Sequence, residues 1–440
     1  MLTYPIHLSN GPGPLLAFLP EPDPDGIAAA GVALANTDGG AIVIGLDSRG
    51  IYTGPVDGAS VARARRDAAA QCSPAIALDH VELAATPSGP VVAIRVERGS
   101  QVHALPDGRV MVRAGSGNRA LSGDEIRALI ATRTHGEFET ETVPRARPSD
   151  LDPERLADLL VRCGEICGDD DLLLAMGAVT PEARVTVAGM LLLGHDPQRW
   201  LPHSGARFIR LIDGGHVAFE QSLRGPLIKL VDDLWDLIRA QMRTPTTNDA
   251  LDYPEAVVRE ALVNAVCHRD YRRRGDGVTV RMFPDRLEIS SPGGLPGFLT
   301  TQYLLGGRFS RNPRLNWGMF QWGYVEEPGQ GILRMITGMD GHGAQPTEIL
   351  AERDRVNVRL FRAGDPRPNA PSLPENGTLN ERQYAAFDYV RQHGSITLHE
   401  YRTLCPAVQS SVLQRDLREL VASSYLRKIG SRAGAYYMLP

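Results

Sequence analysis

The sequence predicts a multidomain protein of α/β (α+β) class, and three observations carry that prediction. A chain of 440 residues exceeds what one hydrophobic core usually serves, so two to four domains are expected. Two stretches rich in proline and charge, 141–154 (ETVPRARPSDLDPE) and 364–377 (GDPRPNAPSLPENG), lack apolar periodicity and read as linkers. Elsewhere helical and strand periods alternate along the chain. The resulting pieces of about 140, 210 and 65 residues match usual domain sizes, with domains expected over 1–140, 150–363 and 376–440.

In the first piece, 25–35 suits a helix and 41–46 (AIVIGL) a buried strand, followed by a turn at 47–50 and extended chain at 51–54. Residues 91–96 and 109–113 alternate as strands. Helix 122–131 starts with Ser122 three residues ahead of Glu125, the spacing of a capping box. The second piece opens with helix 153–167. Strands are expected at 187–193 and 206–212, helices at 226–242 and 253–268, and two further strands at 277–283 and 286–291. This order suits a helix layer on one face of a sheet. In the third piece Asn380 caps helix 381–393, a short helix follows Thr397, a third covers 407–423, and two strands within 426–438 flank a turn at 430–434.

Composition excludes several classes. The longest apolar run, 187–193, is far too short to cross a bilayer, and the N-terminus MLTYP has no signal-like core, so a cytoplasmic protein with no membrane partner is expected. The five cysteines (72, 163, 167, 267 and 405) are scattered, which argues against a disulfide framework. Cys163 and Cys167 lack the second pair or histidines that zinc requires. The net charge of −5 argues against a wholesale nucleic-acid coat but leaves room for local patches. Lys229 and Lys428 are the only lysines, and no Gly-rich loop ends in Lys-Ser/Thr. A P-loop motor is thereby excluded, for want of its phosphate-binding lysine.

Three segments carry chemistry. The first, 35–54 (ANTDGGAIVIGLDSRGIYTG), is a Gly-rich turn feeding a strand, and 111–121 (MVRAGSGNRAL) follows later. Together they resemble the Schlafen-type AlbA domain over about the first 135 residues. The resemblance implies nucleic-acid binding, with Arg113, Asn118 and Arg119 as phosphate contacts. Members that cut RNA use acidic residues, and the family usually carries an acidic residue and a Lys in the strand before the first helix. This chain has LLAFLP (15–20) there, with Glu21, Asp23 and Asp25 interleaved with prolines, so cleavage is not expected.

The second segment is 259–271 (REALVNAVCHRDY). On a helix, Glu260, Asn264 and His268 fall at i, i+4 and i+8 and share one polar stripe. Downstream stand SSPGGLP (290–296), SRNP (310–313) and GQGILR (329–334). The ordered set is similar to the RecG-like C-terminal family, a branch of the GHKL ATP-binding fold. That resemblance implies ATP and Mg²⁺ as cofactors. Asn264 would be the Mg²⁺ ligand, a hard neutral oxygen donor, and Glu260 the residue that positions water. His268 and the glycines 293, 294, 329 and 331 would border the nucleotide. The Asp with which GHKL proteins normally recognise adenine is missing from 290–294.

The third segment, 380–440, resembles a winged helix-turn-helix. Helix 407–423 has an apolar stripe (Val408, Val412, Leu417, Leu420, Val421), while Gln409, Ser410, Gln414, Arg415 and Arg418 form the other face. Such side chains reach base edges and phosphates in a major groove. Arg427, Lys428 and Arg432 on the hairpin would meet the backbone.

The acidic constellation of the first domain and the Asp of the second are both degraded, which favours binding over catalysis. The expectation is a DNA-binding transcriptional regulator of bacterial or archaeal type, dimeric or higher in assembly as helix-turn-helix proteins often are. The alternative is an ATPase or nucleic-acid-processing enzyme, for example in phage defence.

Overall fold

The computed structural model describes residues 8, 11–78, 81–134, 136–163, 169–242, 252–300, 304, 308–325, 329–342, 344–362, 379–393, 395–406, 408–423, 425–429 and 436–438. The first body runs β1 (Leu16–Leu19), α1 (Pro24–Ala35), β2 (Gly40–Ile44), α2 (Gly58–Gln71), β3 (Val81–Thr86), β4 (Gly89–Val96), β5 (Met111–Ala114), β6 (Gly117–Ala120) and α3 (Gly123–Thr134). Its sheet has the order β1-β2-β4-β3, parallel only between β1 and β2. The unbroken apolar run of β2 explains its central place. Ile42 and Ile44 face the α1/α2 side while Val43 joins Phe18 and Val91 on the other, so both faces of the strand are covered. Asp23 accepts N–H bonds from Asp25 (3.3 Å) and Gly26 (2.8 Å) and starts α1. Helix α2 was not anticipated. Its buried stripe is only Val61, Ala64 and Ala68, too thin a pattern to stand out.

The second body contains α4 (Pro153–Cys163), α5 (Asp169–Ala175), α6 (Val187–Leu193), α7 (Pro197–Trp200), β7 (Ala206–Leu211), β8 (Val217–Leu223), α8 (Leu227–Gln241), α9 (Glu255–Cys267), β9 (Val278–Met282), β10 (Arg286–Pro292), α10 (Pro313–Gln321), α11 (Gly331–Gly341), β11 (Glu348–Ala351) and β12 (Arg355–Phe361). The sheet order is β11-β12-β10-β9-β7-β8, parallel only between β7 and β9. Helix α8 buries Leu227, Leu230, Val231, Leu234 and Ile238, a stripe at three- and four-residue steps.

Two expectations fail here. The run 187–193 is the helix α6, not a strand. All seven of its residues are buried, and a short run that is apolar on every side carries no period to tell helix from strand. The Thr186 hydroxyl accepts the Gly189 N–H at 3.1 Å and starts the helix. The segment 141–154 is also not a free linker. Val143 is buried and bonds to the Val185 carbonyl at 2.8 Å, and the Asp152 N–H reaches the Leu193 carbonyl at 2.7 Å. The second expected linker lies outside the described residues, as does Cys167.

The third body comprises α12 (Glu381–His393), β13 (Ser395–Thr397), α13 (Leu398–Leu404), α14 (Ser410–Ala422), β14 (Arg427–Ile429) and β15 (Tyr436–Met438), with sheet order β13-β15-β14. Its third helix starts at Ser410 rather than 407, with Gln409 as the cap residue. Asp416 on α14 is 3% exposed. It pairs with Arg382 of α12 at 2.9 Å and accepts from the Tyr401 hydroxyl of α13 at 3.4 Å, tying the three helices together.

The first and second bodies share a small core. Val110, Val112, Leu121 and Leu129 of the first pack with Phe298 and Phe309 of the second. The Arg98 and Arg133 guanidiniums stand 4.6 and 5.1 Å from the centre of the Phe309 ring.

Candidate functional site

The polar stripe of α9 opens onto a cavity of about 170 Å³ whose lining includes Glu260, Asn264, His268, Gly293, Gly294, Gly329 and Gly331. The seven positions singled out around a nucleotide therefore converge on one space, although they span more than seventy residues of chain. Helical spacing puts the first three on one face. The short loops after β10 and before α11 bring in the glycines.

Asn264 donates through Nδ2 to Glu260 Oε1 at 3.0 Å, which turns its Oδ1 away from the carboxylate. Gly331 begins α11 directly above this pair. A Cβ there would meet Glu260 Oε1 and stand 3.2 Å from Asn264 Nδ2, so a larger residue would push the Glu260 carboxylate aside. The N-terminus of α11 borders the cavity through Gly331 and Ile332, and a helix N-terminus suits anionic oxygens. N–H groups there would donate to phosphate oxygens, and the Asn264 Oδ1 would hold a divalent cation that neutralises them. Among the described residues, no cluster of three or more His, Cys, Asp or Glu side chains could hold a metal.

Two charged lining residues, Asp38 and Arg308, escaped sequence reading. Asp38, from the turn 36–40 of the first body, reaches into the second and is 1% exposed. It pairs with Arg308 at 2.7 Å and Arg98 at 2.6 Å, and accepts the Ser310 N–H at 2.9 Å. Burial alone would raise its pKa, but the two guanidiniums and the Ser310 N–H outweigh burial and hold the carboxyl at about 2. Gly39 lets the chain turn away immediately afterward. Its φ is +75°, and a Cβ would lie 2.8 Å from the Val96 carbonyl oxygen. The charged residue in ANTDGG was visible, but its partners lie 60 or more positions away and leave no local signal.

His268 ends the stripe. Burial pushes its pKa down to about 4, with Arg308 and Arg311 adding to the effect and Asp38 opposing it. The ring is therefore neutral at physiological pH. The SRNP segment fixes the surroundings. Ser310 meets Asp38, Arg311 pairs with Asp270 at 3.0 Å, and the buried Asn312 donates to the carbonyls of Cys267 and Arg269 (2.8 and 2.9 Å), closing the end of α9.

The nucleic-acid candidates divide sharply. Arg113 is 2% exposed and spends its guanidinium on the Gly13 and Leu16 carbonyls and on Asn118 Oδ1. Arg119 pairs with Glu125 at 2.7 Å and lies over the Phe298 ring. Arg113 and Arg119 are thus engaged with the protein itself, while Asn118, whose Oδ1 accepts from Arg113, is exposed. Asp23, the middle acid of the N-terminal group, is occupied as a helix cap. By contrast Gln409, Gln414, Arg415, Arg418, Arg427 and Lys428 are exposed, with Ser410 partly so. Arg432 lies outside the described residues.

Comparisons with known proteins concern the first two bodies. Residues 18–122 match the family model described as Schlafen, AlbA_2. Residues 275–360 match the one described as "Putative ATP-dependent DNA helicase recG C-terminal". Among solved structures, the DIP2311 protein of Corynebacterium diphtheriae is 18% identical, with 97% of this chain and 95% of that chain covered and a TM-score of 0.47. No curated protein matches. No described helix is long and apolar enough to cross a membrane. The chain is a mixed α/β multidomain protein in which a Schlafen AlbA_2 domain precedes a RecG-like C-terminal domain of the GHKL ATPase type.

Proposed function

We propose that this chain is a cytoplasmic DNA-binding transcriptional regulator with domains over 1–140, 150–363 and 376–440, the segment 138–151 being strapped to the middle one. In this reading the third body is a winged helix-turn-helix that docks α14 in the major groove of duplex DNA, and the middle body senses ATP with Mg²⁺ on Asn264. The observation that carries it is the division of α14. Leu413, Leu417 and Leu420 are buried while Gln414, Arg415 and Arg418 stand in solvent beside Arg427 and Lys428 of β14. Gln409 and Ser410 lie at the start of α14, the end of a recognition helix that usually meets base edges. Helix α11, whose first residue borders the cavity, also lies against α12. Occupancy of the cavity therefore has a short path to the DNA-docking body. A homodimer would match the two-fold operators such proteins read.

Fluorescence anisotropy of a labelled mixed-sequence duplex, across a salt series and with or without Mg-ATP, tests the reading. The expected result is salt-sensitive binding that shifts with Mg-ATP. Arg415→Ala/Arg418→Ala should weaken it and lower the salt slope by about 2, one contact each. No binding at low salt would sink it. The Glu260–Asn264 pair supports a second reading, an ATPase or nucleic-acid-processing enzyme. Phosphate release from ATP that disappears in Glu260→Gln would favour that one.

A further inference from the structure

Beside the junction of the first two bodies lie two clefts, of about 520 and 640 Å³, that share Phe138, Tyr271 and Arg272 in their linings. Each has the volume of a single small-ligand site, and their shared walls make them neighbours on one face. The first is bordered by the run Arg272–Arg273–Arg274, by Trp200 and by His203, with no carboxylate among its lining residues. The second continues past Arg98, Arg133 and Arg311, where Glu137 and Asp270 are the only acids. Seven arginines line the two clefts; Arg98 is paired with Asp38 and Glu137 and Arg311 with Asp270, so the charge turned to solvent is concentrated in the run Arg272–Arg273–Arg274.

The run is held in shape from below. Arg269 is 1% exposed and donates to the carbonyls of Asp270, Arg273 and Asp276 (3.3, 3.1 and 2.7 Å), which locks the loop that presents Arg272, Arg273 and Arg274 to solvent. Arg272 lies over the Phe138 ring at 5.1 Å and pairs with Glu141, while Arg273 is 3.9 Å from Asp354. Trp200 is only partly buried, with the Arg199 guanidinium 5.3 Å from its ring.

We infer that these chambers bind a single-stranded nucleic acid, with the Arg272–Arg274 run on successive phosphates and a base stacked on Trp200. Guanidiniums match phosphate oxygens. An aromatic face accepts any base, which is how strand binders work without reading sequence. A concave path admits one strand, whereas a duplex is read by an element that protrudes into its groove. The surface is separate from α14, and the inference rests on the nucleic-acid reading above while assigning it a second ligand form.

The test uses the full chain and oligonucleotides of dT and of U, about twelve nucleotides long to cover a typical strand site, alongside a mixed-sequence duplex. Trp235, Trp317 and Trp322 are buried, so stacking on Trp200 should dominate any quenching of tryptophan fluorescence. Either oligonucleotide should quench the native chain. Arg273→Glu/Arg274→Glu should weaken strand binding at least tenfold yet leave duplex binding and the circular dichroism spectrum unchanged. Trp200→Phe should remove the quench. Strand binding that survives in Arg273→Glu/Arg274→Glu, or that vanishes in Arg415→Ala/Arg418→Ala, would overturn the inference. Equal quenching by inorganic phosphate alone would overturn it too. A chain that binds strands but no duplex would sink the winged-helix reading and leave this one standing.

Discussion

Asp38 shows how much one side chain can be asked to do. It is buried, pairs with Arg98 of its own body, and reaches across the junction to Arg308 and to the Ser310 N–H of the second. Breaking a buried pair by removing one partner leaves an uncompensated charge, so Asp38→Ala should cost about 3–5 kcal/mol in urea unfolding. A loss below about 1 kcal/mol, the worth of an exposed pair, would show that the junction does not depend on it. His268 makes a different prediction. Its pKa falls from 6.5 to about 4 on folding, so below pH 6.5 the unfolded chain binds the proton more readily. Stability should therefore decline as pH drops from 6.5 toward 4. In His268→Gln that decline should be shallower, by at most about 1.4 kcal/mol per pH unit, as read from melting curves at stepped pH. Identical slopes would mean the ring is not held neutral.

At the scale of elements, the placement of α10 is instructive. The helix begins at Pro313 after Asn312, whose side chain is engaged elsewhere, and its cap comes from a distant strap. Glu139 is fully buried and accepts the N–H groups of Arg314 (2.8 Å) and Leu315 (3.0 Å). Burial, with Glu137 nearby, pushes its carboxyl up to about 8 in spite of those two donors. A carboxyl raised on folding favours the folded state most below its ordinary pKa of 4.5. That contribution fades as pH climbs to about 8. Glu139→Gln should flatten this part of the stability profile. Glu139→Ala should lower stability by about 1–2 kcal/mol through loss of the cap, and no change in thermal midpoint would show that α10 is capped without it. Helix α11 plays the complementary part, with its first residue on Glu260 and its body against α12.

At the scale of the whole molecule, the first two bodies are joined by apolar surface as well as by charge. Phe309 is 2% exposed, meets Phe298 edge to face at 5.7 Å, and lies under two arginines. Phe309→Ala should cost about 3–5 kcal/mol. In calorimetry it should also separate a joint unfolding of the two bodies into two transitions. A single transition with an unchanged midpoint would show that the shared core contributes little. The same junction borders both the α9 cavity and the arginine-lined clefts, so its integrity is expected to matter for each.

Much of the protein was determined by local pattern alone. The helical and alternating periods of α8, α9, β9 and β10 placed those elements nearly to their ends, because amphipathic spacing records which face is buried, while β2 was marked by an apolar run bounded by turn residues. The stripe of Glu260, Asn264 and His268 was legible for the same reason, a helix repeat that aligns residues four apart. What local pattern could not hold was everything decided by partners far along the chain. A run apolar on all sides became helix α6, since burial on every face erases the period. A proline-rich strap became the cap of α10. Arg113 was drawn inward by carbonyls nearly a hundred residues away. Asp38 crossed into another body's cavity. Tertiary packing decided these because a buried charge or backbone group must find a partner wherever the fold brings one, and sequence distance carries no trace of that choice.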